Sequence, residues 1–263
     1  MPAHKPFDPF GDFDQAGYLR NLEGLKDSEA IKKLEHASFL ANLGDAVEVL
    51  RSSKAITYQS FLDTHRILFG DFYPWAGRDR VEVAPDLMIS KGNVRFAVGA
   101  DIRRAIDYGL ALAKANGVRQ APGTIMGYFA HGHPFLDGNG RTMMLVFGEL
   151  CFREGFSIAW ERTDKTDYLA ALTDELVRPD KGVLDTYLSG FIAPPIPHDR
   201  YSKTLEELPG LDGLDRFLDE NLEIEGYTTD LAAAKAYEAA MRGRYSAYQA
   251  DANSKVDDQN RSD

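Results

Sequence analysis

The stretch His131-Gly-His-Pro-Phe-Leu-Asp-Gly-Asn-Gly-Arg-Thr-Met-Met144 decides how this chain is read, because it breaks a helical pattern with polar and conformationally special residues. Apolar residues at helical spacing lead into it through Ile125, Met126, Phe129 and Ala130, and a strongly apolar helix over residues 142–152 follows it. The stretch is therefore an interhelical loop, and the second helix is central in the core.

A helix beginning at Asn139 or Gly140 leaves its first backbone N–H groups unpaired, with the positive end of the helix dipole behind them. Glycines at 138 and 140 let the backbone approach a ligand closely. Such a start is an anion site. Arg141 in the first turn is unfavourable beside that positive end unless an anion is bound there. Asp137 would repel a phosphate, and a divalent metal shared between the carboxylate and the phosphate resolves the conflict. His133 is the group best able to take a proton near neutral pH. Asn139 can orient a phosphate oxygen with its side-chain amide. Together these parts describe metal-assisted attack of a hydroxyl on a phosphate. The bland alternative is a turn with caps. His131 is read as a packed imidazole, because no second cluster of His or Cys supports an H-x-H zinc site.

Outward from the loop, most of the chain is helical. Residues 1–17 carry three prolines and three phenylalanines and should form an extended arm. A helix is expected from residue 18 to 50, capped at Asp27-Ser28-Glu29, with Leu34, Ala37, Ser38 and Ala41 on one face that Phe39, Leu40 and Leu43 widen. A second covers residues 57–69 and stops at Gly70, and Phe72-Tyr-Pro-Trp-Ala-Gly77 reads as a packed turn. Residues 79–98 hold the only β signal, with Val81 and Val83 alternating and Lys91-Gly-Asn93 as a hairpin tip. Helices are expected over residues 100–115, 164–177 and 182–193. Pro194-Pro195-Ile-Pro197 is expected to end the compact unit, giving a domain over residues 18–195, an acidic helical region over 198–250 and a disordered tail over 251–263. The fold class is all-α, with one small hairpin.

Composition narrows the class further. The chain has 263 residues, 44% of them hydrophobic, and a formal net charge of −11, which disfavours general nucleic-acid binding. The lone Cys151 in Gly-Glu-Leu-Cys-Phe reads as a buried small hydrophobe, and nothing requires an oxidising compartment. No run approaches ~18 apolar residues, so a soluble cytoplasmic protein is expected, without membrane contact; translocation by a system that reads a charged tail leaves no such trace.

The run His133-Pro-Phe-Leu-Asp-Gly-Asn-Gly-Arg141 resembles the signature of the Fic family, H-P-F-x-[D/E]-G-N-G-R-x-x-R, over nine consecutive positions. The upstream aromatic turn and the hairpin with Ser90-Lys-Gly-Asn93 occur in the matching order, so the resemblance covers roughly residues 10–195. It implies a helical core with a β-hairpin flap and a protein adenylyltransferase that moves AMP from ATP to a Ser, Thr or Tyr hydroxyl of a target protein, with Mg2+. By position, His133 is the implied base and Asp137 the metal ligand. Gly138, Asn139 and Gly140 form the implied anion cradle, with Arg141 on the phosphates. The resemblance also makes the hairpin a flap that docks the target by strand addition, with Lys91 and Gly92 at the nucleotide, and it is compatible with a homodimer.

One position departs from the pattern: the second arginine is replaced by Met144. Losing a charged contact to phosphate costs about 1.5–3 kcal/mol if nothing replaces it. The departure leaves room for another donor, UTP, GTP or CDP-choline, and for a catalytically weak Fic-fold binding module. The family's inhibitory pattern [S/T]-x-x-x-E-[G/N] has only Asn221-Leu-Glu-Ile-Glu-Gly226 as an approximate match, read as surface helix or turn.

Overall fold

The computed structural model describes residues 19–85, 87–91, 93–211 and 226–228. The expected arm over 1–17, the tail over 251–263, and most of 212–250 lie outside the described residues. α1 (Ser28–Ser52) is capped by Asp27, whose carboxylate accepts from Ala30 N. α2 (Tyr58–Phe69) opens with a Thr57/Ser60 capping box and packs along α1. The aromatic turn then buries Phe72, Tyr73 and Trp75, with Tyr73 stacked on Trp75 at 4.3 Å.

Residues 80–83 form a short helix, α3 (Arg80–Val83), and not the strand that the Val81/Val83 alternation suggests. Asp79 overrides the alternation, because its carboxylate accepts from Glu82 N at 3.0 Å and caps a helical turn. The hairpin is present: β1 (Met88–Lys91) pairs antiparallel with β2 (Val94–Arg95). α4 (Ala100–Asn116) and α5 (Pro122–Gly132) pack against each other. α6 (Asn139–Arg153) is buried along residues 141–149 and packs on α1, α2 and α5, which is the central position its apolar sequence requires.

β3 (Ser157–Ile158) follows, then α7 (Lys165–Val177) and α8 (Val183–Ser189). The helix expected over 182–193 stops at Ser189 because Gly190 caps it, and β4 (Ile192–Ala193) pairs with β3. Two-residue strands are too short to show periodicity. Asp185 of α8 accepts from Gly123 N at 2.7 Å and Thr124 N at 3.0 Å, capping α5 from 60 residues away.

The compact unit does not end at the proline run. α9 (His198–Glu206) packs on α1 through buried Tyr201 and Leu205, both members of the main core. Tyr201 Oη donates to Met144 O at 2.8 Å. A further strand, β5 (Gly226–Thr228), pairs antiparallel with β1 in the register Met88↔Thr228, Ile89↔Tyr227 and Ser90↔Gly226, so Gly226 opens a strand where a helix or turn was expected. The sheet order is β2-β1-β5, and the outer edge of β1 carries a strand of the same chain. Among the described residues no helix is long and apolar enough to cross a membrane.

Candidate active site

The loop is built by close approach and by hydrogen bonds from distant elements. His133 caps the C-terminus of α5 at φ 42°, ψ 59°, and is the sole non-glycine residue with positive φ among the described residues. A left-handed conformation at a histidine is costly and persists only where its surroundings hold it. Those surroundings are explicit. The His133 ring stacks on Phe96 at 3.9 Å, and its carbonyl accepts from Arg80 Nε at 2.8 Å. The buried Arg80 guanidinium also donates to Leu87 O and Ala97 O, and its backbone N–H to Pro134 O. Arg80 thus ties both sides of the hairpin to the loop. His131 is buried behind it and hydrogen-bonds the Arg95 backbone, the packed role expected for it.

Asn139 turns its side chain inward. Its Oδ1 accepts from Phe135 N at 2.9 Å and its Nδ2 donates to Phe135 O at 2.8 Å. Both ends of the amide close the loop on Phe135. Asn139 is also the first residue of α6. Below the loop, His65 Nδ1 accepts from Gly77 N at 2.9 Å, which makes Nε2 the protonated nitrogen, donating to Asp137 O at 3.0 Å. Burial pushes the His65 pKa down to about 3, so the ring is a neutral strut, stacked on Phe135 at 3.8 Å. Gly138 sits at φ 76°, and a Cβ there would lie 2.5 Å from Phe69 Cε2. A Cβ on Gly140 would meet nothing within 4 Å. The first glycine lets the loop fold; the second leaves the helix start open.

That opening faces a cavity of about 420 Å³ with two chemically distinct ends. His133, Asp137, Gly138, Asn139, Gly140 and Arg141 line the polar end together with Lys32 of α1. Met143, Met144, Trp160, Tyr168, Leu169 and Leu172 form the apolar wall of the other, where Thr163, Asp164, Lys165 and residues 208–211 also line the cavity. The loop residues named from sequence therefore converge, and Met144 forms cavity wall. Lys91 is not among the described residues that line the cavity, and Gly92 lies outside the described residues.

The electrostatics bring in two residues absent from the sequence reading. Glu35, fully buried on α1, pairs with Arg141, and Lys32 Nζ pairs with both Glu35 at 3.0 Å and Asp137. The Arg141 guanidinium also lies 4.7 Å from the Phe69 ring centroid and 3.9 Å from Asp137. Burial alone would lower the Lys32 pKa, but Asp137 and Glu35 outweigh it and raise the ammonium above its ordinary value. The helix face expected to be apolar is buried at Ser38, Phe39 and Leu43 and exposed at Leu34, Ala37, Leu40 and Ala41. Leu34 is 43% exposed, whereas Ile31, Glu35, Phe39 and Leu43 are buried. A charged residue in phase with Ile31, Phe39 and Leu43 was the signal that something other than a core lies opposite.

A cavity at the start of a central helix, beside a loop that Arg80 ties to a hairpin, defines a helical domain with a composite loop site. Residues 55–151 match the family model described as Fic/DOC family. It is 30% identical over 173 residues to protein adenylyltransferase VbhT of Bartonella schoenbuchensis, a match that spans 62% of this chain and 35% of that relative. The chain thus covers about a third of the curated relative's length. Among solved structures, it matches the BepC protein of Bartonella tribocorum, a VirB-translocated effector with bound AMPPNP, at a TM-score of 0.56 and 15% identity over 69% of this chain and 95% of that one. The N-terminal Fic domain of a Bep effector from Bartonella quintana with bound ADP matches at a TM-score of 0.58 and 21% identity, over 69% and 94%. These two likenesses show the fold.

Proposed function

We propose that this domain is a protein adenylyltransferase, moving AMP from ATP to a hydroxyl side chain of another protein. The observation that carries the reading is the two-ended cavity. Backbone N–H groups, a histidine and an arginine stand at one end, and an aromatic and aliphatic wall with polar residues 163–165 beside it at the other, which suits the phosphates and the base with its polar edge. The relative named a protein adenylyltransferase and the nucleotide-bound relatives support it.

His133, at the polar end, takes the proton of the target hydroxyl. The hydroxyl oxygen then bonds to the α-phosphorus of ATP, the bond from that phosphorus to the bridging oxygen breaks, and pyrophosphate leaves. The N-terminus of α6 and Arg141 hold the phosphates, with Arg141 offering Nη1 while Nη2 stays on Glu35. Asp137 fits a magnesium site as the cavity carboxylate in the loop that leads into α6, since magnesium is usually held by one or two carboxylates plus substrate phosphates and water. A magnesium ion bound there would neutralise charge on the phosphates. The target docks at the hairpin by strand addition, displacing β5 from β1. Incubation with Mg2+ and, in separate reactions, ATP, UTP, GTP and CDP-choline, followed by intact-mass measurement of the chain and of lysate proteins, tests the donor. An adenylyl adduct from ATP supports the reading; adducts from another donor alone, or none, overturn it.

A further inference from the structure

The polar end of the cavity holds a closed quartet: Lys32 and Arg141 against Glu35 and Asp137. Such a neutral set offers no excess positive charge to a polyphosphate. Either the carboxylates leave their partners or the phosphates meet only the helix start. Lys32 is the mobile member by construction, a point charge on a four-carbon stem lining the cavity with its side chain 16% exposed. Arg141, by contrast, is fixed by Glu35 and by the rings of Phe39 and Phe69. Across the cavity, the helix that supplies Arg141 presents Met144, which carries no charge.

We infer that Lys32 is a phosphate-binding residue of the nucleotide site, supplied by α1, and that it occupies Asp137 until a metal–nucleotide pair replaces it there. This rests on the nucleotide-site reading above. Lys32 Nζ sits on Asp137 Oδ2, an oxygen a divalent cation would use, so Lys32 and the cation compete for one ligand. Once released, the ammonium faces the cavity in which the phosphates lie, and the site gains a positive charge as the polyanion enters. Lys32 therefore opposes binding of metal alone and favours binding of metal together with a triphosphate.

The test is calorimetric titration of the full chain and of Lys32→Met with Mn2+ alone, with ATP plus Mg2+, and with AMP. Removing one charge-assisted phosphate contact should weaken ATP binding about tenfold or more, with AMP affected far less. Mn2+ alone should bind Lys32→Met more tightly than wild type. Lys32→Arg should retain ATP binding. Because Met leaves two carboxylates facing each other, Lys32→Gln, which can still hydrogen-bond both, serves as a second variant whose thermal transition verifies folding. Folded Lys32→Gln and Lys32→Met proteins with wild-type ATP affinity overturn the inference while leaving the nucleotide-site reading intact. A wild-type chain that binds AMP and ATP equally also overturns it, and one that binds no nucleotide overturns both.

Discussion

The loop over residues 133–141 and the inner face of α1 meet at the same cavity, yet one is written contiguously and the other is dispersed through a helix. In the loop each residue type has a local reason. Gly138 takes a positive φ that a side chain resists, Asn139 clasps Phe135 four residues back, and α6 starts where the sequence suggests. On α1, Lys32 and Glu35 acquire meaning only from partners more than 100 residues away. Before folding they look like an ordinary i,i+3 pair on a helix surface. Local constraint is legible in one sequence; complementarity between distant elements is not.

The comparison breaks most severely at His133. His133→Ala should reduce nucleotidyl transfer by about 10²- to 10⁴-fold, the usual worth of a general base, with nucleotide affinity measured by calorimetry little changed. A comparable loss of affinity would make His133 a binding residue instead.

Next in size is the α1 side. Glu35→Ala leaves the Arg141 guanidinium buried without its carboxylate and should cost about 3–5 kcal/mol in urea unfolding, because breaking a buried pair strands its partner. ATP with Mg2+ should raise the melting temperature of this variant more than that of wild type, since phosphate replaces the lost counter-charge. Wild-type stability for Glu35→Ala would disconnect α1 from the loop.

Acid probes the struts beneath both regions. His65 and His131 are held neutral by burial, with pKa values lowered to about 3 from 6.5. The unfolded chain therefore binds more protons below pH 6.5, and stability is lost as pH falls from there towards 3. Between pH 7 and pH 5 each histidine should contribute a loss of about 2 kcal/mol. Denaturation at the two pH values checks this, and His131→Asn should reduce the pH dependence by about half.

The smallest effect separates two glycines of one motif. Gly138→Ala meets Phe69 and an unfavourable φ, and should destabilise by about 1–3 kcal/mol. Gly140→Ala meets no protein atom and should leave the thermal transition in place while weakening nucleotide binding.

What the sequence makes visible follows the same division. The helical class, the α6 start, the hairpin, the aromatic turn and the residues of the loop are legible because periodicity, capping and glycine chemistry act over a few residues. Val81 and Val83 misled because one capping aspartate outweighs a short alternation. The helical domain does not end at Pro194–Pro197, because α9 contributes Tyr201 and Leu205 to the core from beyond the prolines. The α1 face reads too wide, taking in Leu34 and Leu40, because exposed leucines are common and carry little information. Lys32, Glu35 and the Arg80 hub that ties the hairpin to the loop needed the tertiary fold to become visible.

The most direct test of the central claim uses ATP carrying a radiolabel on either the α- or the γ-phosphate, with Mg2+, a lysate as source of targets, and wild-type or His133→Ala protein shown by calorimetry to bind nucleotide. The account requires protein-bound label from the α-position only, lost in His133→Ala. Label from the γ-position, or none from either position with nucleotide bound, would contradict it.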